Sequence, residues 1–113
     1  MHEAGIMQDA LDLAVAEANK AGAFRVHRMQ LRVGVLSGVV PEALQFAFEA
    51  LAPGSPAEGG RLEIEPVEAA YWCEPCAREF VAHDLVDPCP GCGSTEAILR
   101  RGLELELSSV EVS

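Results

Sequence analysis

The sequence predicts an α+β fold: two helices packed on a three-stranded sheet, with an inserted module that holds all four cysteines. Three observations carry that expectation. Two segments space their apolar residues by three and four, three others alternate apolar with polar residues, and the cysteine-bearing stretch shows no helix-length apolar pattern. From Ile6 to Ala21, Met7, Ala10, Leu11, Ala14 and Ala18 form one stripe. Asp9 and Asp12 lie early, Lys20 lies late, and Gly22 supplies a stop, all in keeping with the helix macrodipole and C-terminal capping. Arg28, Gln30 and Arg32 then alternate with Met29, Leu31, Val33 and Val35, a strand with one wet face that ends at Ser37-Gly38. Pro41 fits the first position of a second helix whose inward residues are Leu44, Ala47, Phe48 and Leu51, and Ala52-Pro53-Gly54 ends it. Leu62 and Ile64 alternate with Arg61, Glu63 and Glu65 in a second strand, which Pro66 marks as an edge or closes. Leu103, Leu105 and Leu107 alternate with glutamates before the phase passes to Val110 and Val112, so the last strand carries a bulge near Ser108-Ser109.

The chain leaves the sheet after the second strand and returns for the third. The expected division is therefore residues 1–70 with 100–113 as the α+β unit and 71–99 as the inserted module. At 113 residues there is no room for a large enzyme core, and neither a Ser-His-Asp cue nor an HExxH motif is found, so no enzyme is expected. Gly59-Gly60 is too little for a phosphate loop. A formal charge of −10 repels a phosphate backbone, which argues against nucleic acid as a partner. No signal peptide or membrane-length apolar run is found, and a soluble, cytoplasmic protein is the expectation.

Cys73-Glu74-Pro75-Cys76 and Cys89-Pro90-Gly91-Cys92 are two CxxC pairs separated by 12 residues. A two-residue turn presents two thiolates on one side, and two such turns complete the four-sulfur shell that structural Zn(II) takes. A closed shell leaves no position for a reactive water, so the expected zinc is structural. It would stand in for the core that so short a module lacks. A thioredoxin-like redox role needs a CxxC at a helix start, which this helix-poor stretch does not offer. His83 is an alternative ligand in the same stretch, but an exposed loop histidine is the preferred reading. Tyr71, Trp72 and Phe80 are expected to pack around the loops.

Met1-His2-Glu3 sets an α-amine, the next amide nitrogen and an imidazole in succession. Amine and amide close a five-membered chelate ring, amide and Nδ1 a six-membered one, and the next amide or the Glu3 carboxylate offers a fourth donor. Such nitrogen-rich planar sets suit Ni(II). On the residues alone, a histidine at position two is ordinarily solvated. His27 falls in phase with Met29 and Leu31 and is expected to be half-buried packing, not a ligand. Arg28 and Arg32 form either a solvated strand face or a dock for an acidic partner.

Taken together, Met1-His2-Glu3 opening a helix, Leu31-Arg32-Val33-Gly34, Ser37-Gly38-Val39-Val40-Pro41-Glu42-Ala43-Leu44, the paired CxxC motifs and the closing Glu104-Leu105-Glu106-Leu107 with Val110-Glu111-Val112 resemble the HypA/HybF family of hydrogenase nickel-incorporation proteins. The resemblance implies a nickel metallochaperone that works with a GTPase partner to load Ni(II) into the large subunit of [NiFe] hydrogenase, and in some organisms also serves urease. It places the nickel site on Met1, His2 and Glu3 and the structural zinc on Cys73, Cys76, Cys89 and Cys92. Members commonly follow the first three residues with a larger apolar residue and Ser. Here Ala4-Gly5 stands instead, and Gly5 becomes the expected N-cap. The alternative from another class is a zinc-ribbon adaptor that scaffolds proteins without transferring nickel.

Overall fold

The computed structural model describes residues 2–113. Helix α1 spans Glu3–Lys20, strand β1 Val26–Gly34, helix α2 Pro41–Leu51 and strand β2 Arg61–Val67. Three short strands follow, β3 (Ala70–Cys73), β4 (Arg78–Val81) and β5 (Ile98–Arg101), before β6 (Leu105–Val112) returns to the first sheet. The strands form two three-stranded sheets, ordered β2-β1-β6 and β4-β3-β5. In the first, β1 is central, parallel to β2 and antiparallel to β6. The parallel pair needs a crossover, and α2 supplies it.

Both helices bury one stripe against the first sheet. Met7, Leu11, Ala14 and Ala18 from α1 meet Leu44, Ala47 and Phe48 from α2 over Met29, Leu31, Val33 and Leu62. Pro66 lies within β2, opposite Val33, and β2 is an edge strand, where a missing N–H costs no ladder bond. The expected bulge in β6 is at Ser108: Gln30 faces Ser109 while Leu31 faces Leu107. Ser108 Oγ donates to the Gln30 carbonyl at 3.1 Å.

Two expectations are corrected. Gly5 is no cap: α1 begins at Glu3 with His2 in the N-cap position, and the Ile6 N–H donates to the His2 carbonyl at 3.1 Å. The His2 side chain makes no capping bond, so nothing in the local chemistry announces the start. His27 is exposed, not half-buried. A register shift between Val26 and Arg28 breaks the alternation, burying Val26 and Met29 and turning His27 outward, where Nε2 lies 2.5 Å from Ser113 Oγ.

The second sheet covers Ala70 to Arg101, and its strands are the part of the insertion that periodicity left unassigned. Strands of four residues are too short to display an alternation. Tyr71 stacks on Phe80 with centroids 5.7 Å apart, Leu36 and Leu99 pack beside them, and Tyr71 Oη donates to the Leu85 carbonyl. Trp72 lies under the Arg100 guanidinium at 4.9 Å. The two sheets meet at a close backbone crossing. A Cβ on Gly34 would lie 2.1 Å from the Gly102 carbonyl oxygen, and one on Gly102, whose φ is +123°, 2.5 Å from Ala69 Cβ. Here only glycine fits.

Candidate metal centre

The first cysteine turn grows from the β3–β4 hairpin. Cys73 ends β3, the Ala77 N–H donates to the Glu74 carbonyl at 3.1 Å, and β4 starts at Arg78. Ala77 adopts φ 51°, the left-handed conformation that glycine takes at the matching position of the second turn, where Gly93 has φ 76°. That second turn closes with the Gly93 N–H donating to the Cys89 carbonyl at 2.7 Å and the Cys89 N–H to Ser94 at 2.9 Å. Two turns of one design thus face each other across the end of the sheet.

All four Sγ atoms lie within 4.8 Å of one another. Cys73 and Cys92 are 3.6 Å apart and Cys76 and Cys89 3.9 Å, far beyond a disulfide bond. Four sulfurs at 2.3 Å from a tetrahedral zinc are separated by about 3.8 Å. The cluster therefore has the dimensions of a tetrathiolate site. The Gly91 N–H points at Cys89 Sγ from 3.4 Å, the kind of amide donor that stabilises a thiolate. Burial raises the Cys89 thiol, but the Gly91 and Cys92 amides and the neighbouring thiols outweigh it and bring it down to about 7. Hydrogen bonds with Cys92, then Cys89, push Cys76 up to about 12. Thiols this close resist sharing more than one negative charge, and a divalent cation in their midst removes that conflict.

His83 is exposed and outside this cluster. Its amide donates to Asp87 Oδ2 at 2.9 Å. Neither CxxC lies at a helix start, so the setting for a redox dithiol is missing among the described residues.

The N-terminal triplet divides. Met1 lies outside the described residues; His2 is exposed. Glu3 opens α1, and its Oε2 accepts the Val40 N–H at 3.4 Å. Val40 is the N-cap of α2 and has no capping side chain of its own; Glu3, from another helix, accepts the N-cap residue's own N–H, the bond an N3 glutamate makes in a capping box. Its own amide and then that of Val40 hold the Glu3 carboxyl below its usual range. Sequence reasoning missed this link. The available signal was a helix start, Val40-Pro41, with an apolar residue where an acceptor belongs. Arg28 and Arg32 are not free cations: Arg28 lies 3.4 Å from Glu63 and 3.3 Å from Glu111, Arg32 3.7 Å from Glu65 and 2.7 Å from Glu106.

Fold and centre together define a small α+β protein of two helices and two small sheets, whose four cysteines gather at one possible metal site. A family model described as hydrogenase/urease nickel incorporation, metallochaperone, HypA matches residues 1–112. The hydrogenase maturation factor HypA of Picosynechococcus sp. is 44% identical over 112 residues, 99% of each chain, and that of Acidithiobacillus ferrooxidans 38% identical over the same share. The solution structure of the Ni metallochaperone HypA from Helicobacter pylori superposes with a TM-score of 0.70 at 25% identity, covering 99% of this chain and 97% of that one. A second HypA solution structure gives 0.73 at 26%. This chain belongs to the HypA family of hydrogenase maturation factors. Among the described residues no helix is long and apolar enough to cross a membrane.

Proposed function

We propose that this protein binds Ni(II) as cargo through Met1, His2 and Glu3 and delivers it to the large subunit of [NiFe] hydrogenase, acting in the cytoplasm with a GTPase that supplies the energy of release. The observation that carries this reading is the nickel-incorporation family match running from residue 1 to 112, which takes in the whole Met1-His2-Glu3 triplet. The exposed His2 at the start of a helix is consistent with it, since an arm with few protein contacts can exchange ligands readily. With the Glu3 carboxylate turned to Val40, backbone nitrogen is the better candidate donor at that residue. The same donors would bind copper more tightly by the Irving–Williams order, so selectivity has to come from availability or docking. No nucleotide-binding loop is recognisable in the sequence, and the GTPase is accordingly a separate protein.

Cys73, Cys76, Cys89 and Cys92 would hold zinc, which when bound supplies a cross-link and no reactive position. In this reading residues 1–70 with 100–113 handle nickel and residues 71–99 form the zinc module. The deciding experiment is nickel titration of the untagged, zinc-loaded protein beside His2→Ala and a variant with residues added before Met1. Stoichiometric nickel uptake lost in both variants, with zinc retained, is the expected result. Equal uptake by the extended variant would move the donors elsewhere, and no uptake by any of them would favour a zinc-ribbon adaptor.

A further inference from the structure

Strand β6 pairs with β1 on one side and, among the described residues, with no strand on the other. Beside that free edge runs a groove between the strand and α1. Ile6, Ala10 and Leu13 line it from the helix and Leu105 and Leu107 from the strand, with Leu31 at the floor of a hollow of about 260 Å³. It continues past Leu13 into a second hollow of about 240 Å³ against Ser108 and Val110. Leu13 is 51% and Leu105 39% exposed. These leucines stand where the next strand of the sheet would lay its apolar side chains. An edge strand with such a flank accepts an added extended segment through main-chain hydrogen bonds, with alternate side chains filling the groove.

The charge around the groove selects the occupant. Asp9 and Glu17 border it on the helix side, Glu17 in an exposed ion pair with Lys20 at 3.3 Å, and among the described residues no basic side chain lines either hollow. On the strand side Glu104, Glu106 and Glu111 alternate with the apolar positions, and the sheet face they join carries Arg28, Arg32 and Arg61 against Glu63, Glu65, Glu106 and Glu111. A second copy of β6 would bring glutamate beside glutamate, an unfavourable cross-strand pairing in a chain of charge −10. A segment that alternates aliphatic residues with lysine or arginine meets both requirements. We infer that the β6 edge, together with the Leu13 face of α1, is a docking site for an extended, basic-apolar segment of a partner protein, which adds to the sheet as a fourth strand. The inference stands independently of the nickel reading.

The test uses the zinc-loaded full chain and a labelled short peptide alternating isoleucine and lysine, followed by fluorescence polarisation and amide exchange. Saturable binding at one peptide per chain is expected, with slowed exchange at the β6 amides. A peptide of the same charge broken by a central proline should bind about tenfold more weakly or worse, as should the alternating peptide to Leu13→Glu. That substitution is chosen because it adds negative charge while removing apolar surface. Binding that is unchanged or tighter in Leu13→Glu, or equal for the proline peptide, would show simple charge attraction and overturn the inference. So would absence of binding by the alternating peptide, or sedimentation showing that the free chain dimerises through β6.

Discussion

The two sheets have the same number of strands and opposite means of support. The β2-β1-β6 sheet rests under two helices, and Met7, Met29 and Leu44 within its core are wholly buried. Among the described residues no helix packs on the β4-β3-β5 sheet; its apolar cluster of Ala69, Tyr71 and Ala82, with Phe80 and Leu99 alongside, is flanked by exposed Val81, Leu85, Val86 and Ile98. Apolar burial stabilises by about 25 cal/mol per Å², so the first sheet draws on a continuous interior and the second on very little. The four thiols stand at the end of the second sheet. The comparison teaches that one small chain can combine a unit folded by apolar burial with one whose folding, on the zinc reading proposed above, depends on a metal.

The sharpest way to break that contrast is to remove the metal. Cys73→Ser, at a buried position, is expected to abolish zinc binding and unfold the second sheet, because apparent zinc binding in such modules is on the order of 10 kcal/mol. Metal analysis with amide exchange reads both consequences at once. Protection should vanish from β3, β4 and β5 and persist in β1 and the helices; a second sheet that stays protected without metal would refute metal support. Next in size is the crossing that joins the sheets. Gly34→Ala puts a Cβ 2.1 Å from the Gly102 carbonyl oxygen, with backbone and not a flexible side chain in the way. A loss of about 3 kcal/mol or more is expected in denaturant unfolding. Gly5→Ala is the control: a Cβ there meets nothing within 4 Å, the site is helical, and a gain of about 0.5–1 kcal/mol is expected.

How much of this was legible in the sequence followed the length of each element. α1 and α2 repeat their apolar spacing over several turns, and β1 alternates long enough to be recognised, so the first sheet and its helices were readable. The Ser108 bulge was visible as a change of phase. The bulge at His27 was not, because it falls at the strand's first residues, where too little pattern precedes it to reveal a shift. In the insertion the cysteine spacing announced the cluster, while β3, β4 and β5 stayed hidden for want of length. The Glu3–Val40 contact joins residues 37 positions apart, and no local rule reports such a pair.

That contact gives a smaller effect with a definite sign. The Glu3 carboxyl is held below its ordinary range by amides of the folded state, so the folded protein releases this proton more readily than the unfolded chain. Its contribution is then fully present above the unfolded carboxylate range and is lost as pH falls through the depressed folded value. Glu3→Gln should therefore be less stable than the parent near neutral pH, with the gap closing in acid, as followed by thermal unfolding across a pH series. A gap that is the same at every pH would assign the effect to packing and not to the charge.

The smallest expected effect concerns the two cysteine turns themselves, which share a design but differ at one residue. Gly93 takes its φ of 76° without a side chain to object, whereas Ala77 takes φ 51° with a Cβ in place. The left-handed conformation costs a non-glycine residue about 1–2 kcal/mol, and glycine returns part of that by losing more backbone freedom on folding, about 0.5–1 kcal/mol. Ala77→Gly should thus stabilise the second sheet by some tenths of a kcal/mol, to about 1 at most. Ala77 is exposed, so no packing is lost in the exchange. Local opening of the β3–β4 hairpin, measured by amide exchange in the zinc-loaded protein, should slow in the variant while β1 is unaffected. Gly93→Ala should shift the second turn in the opposite direction by a similar amount. If Ala77→Gly instead loosened the hairpin, the strain assigned to the first turn would be absent, and the resemblance between the turns would be one of sulfur spacing alone.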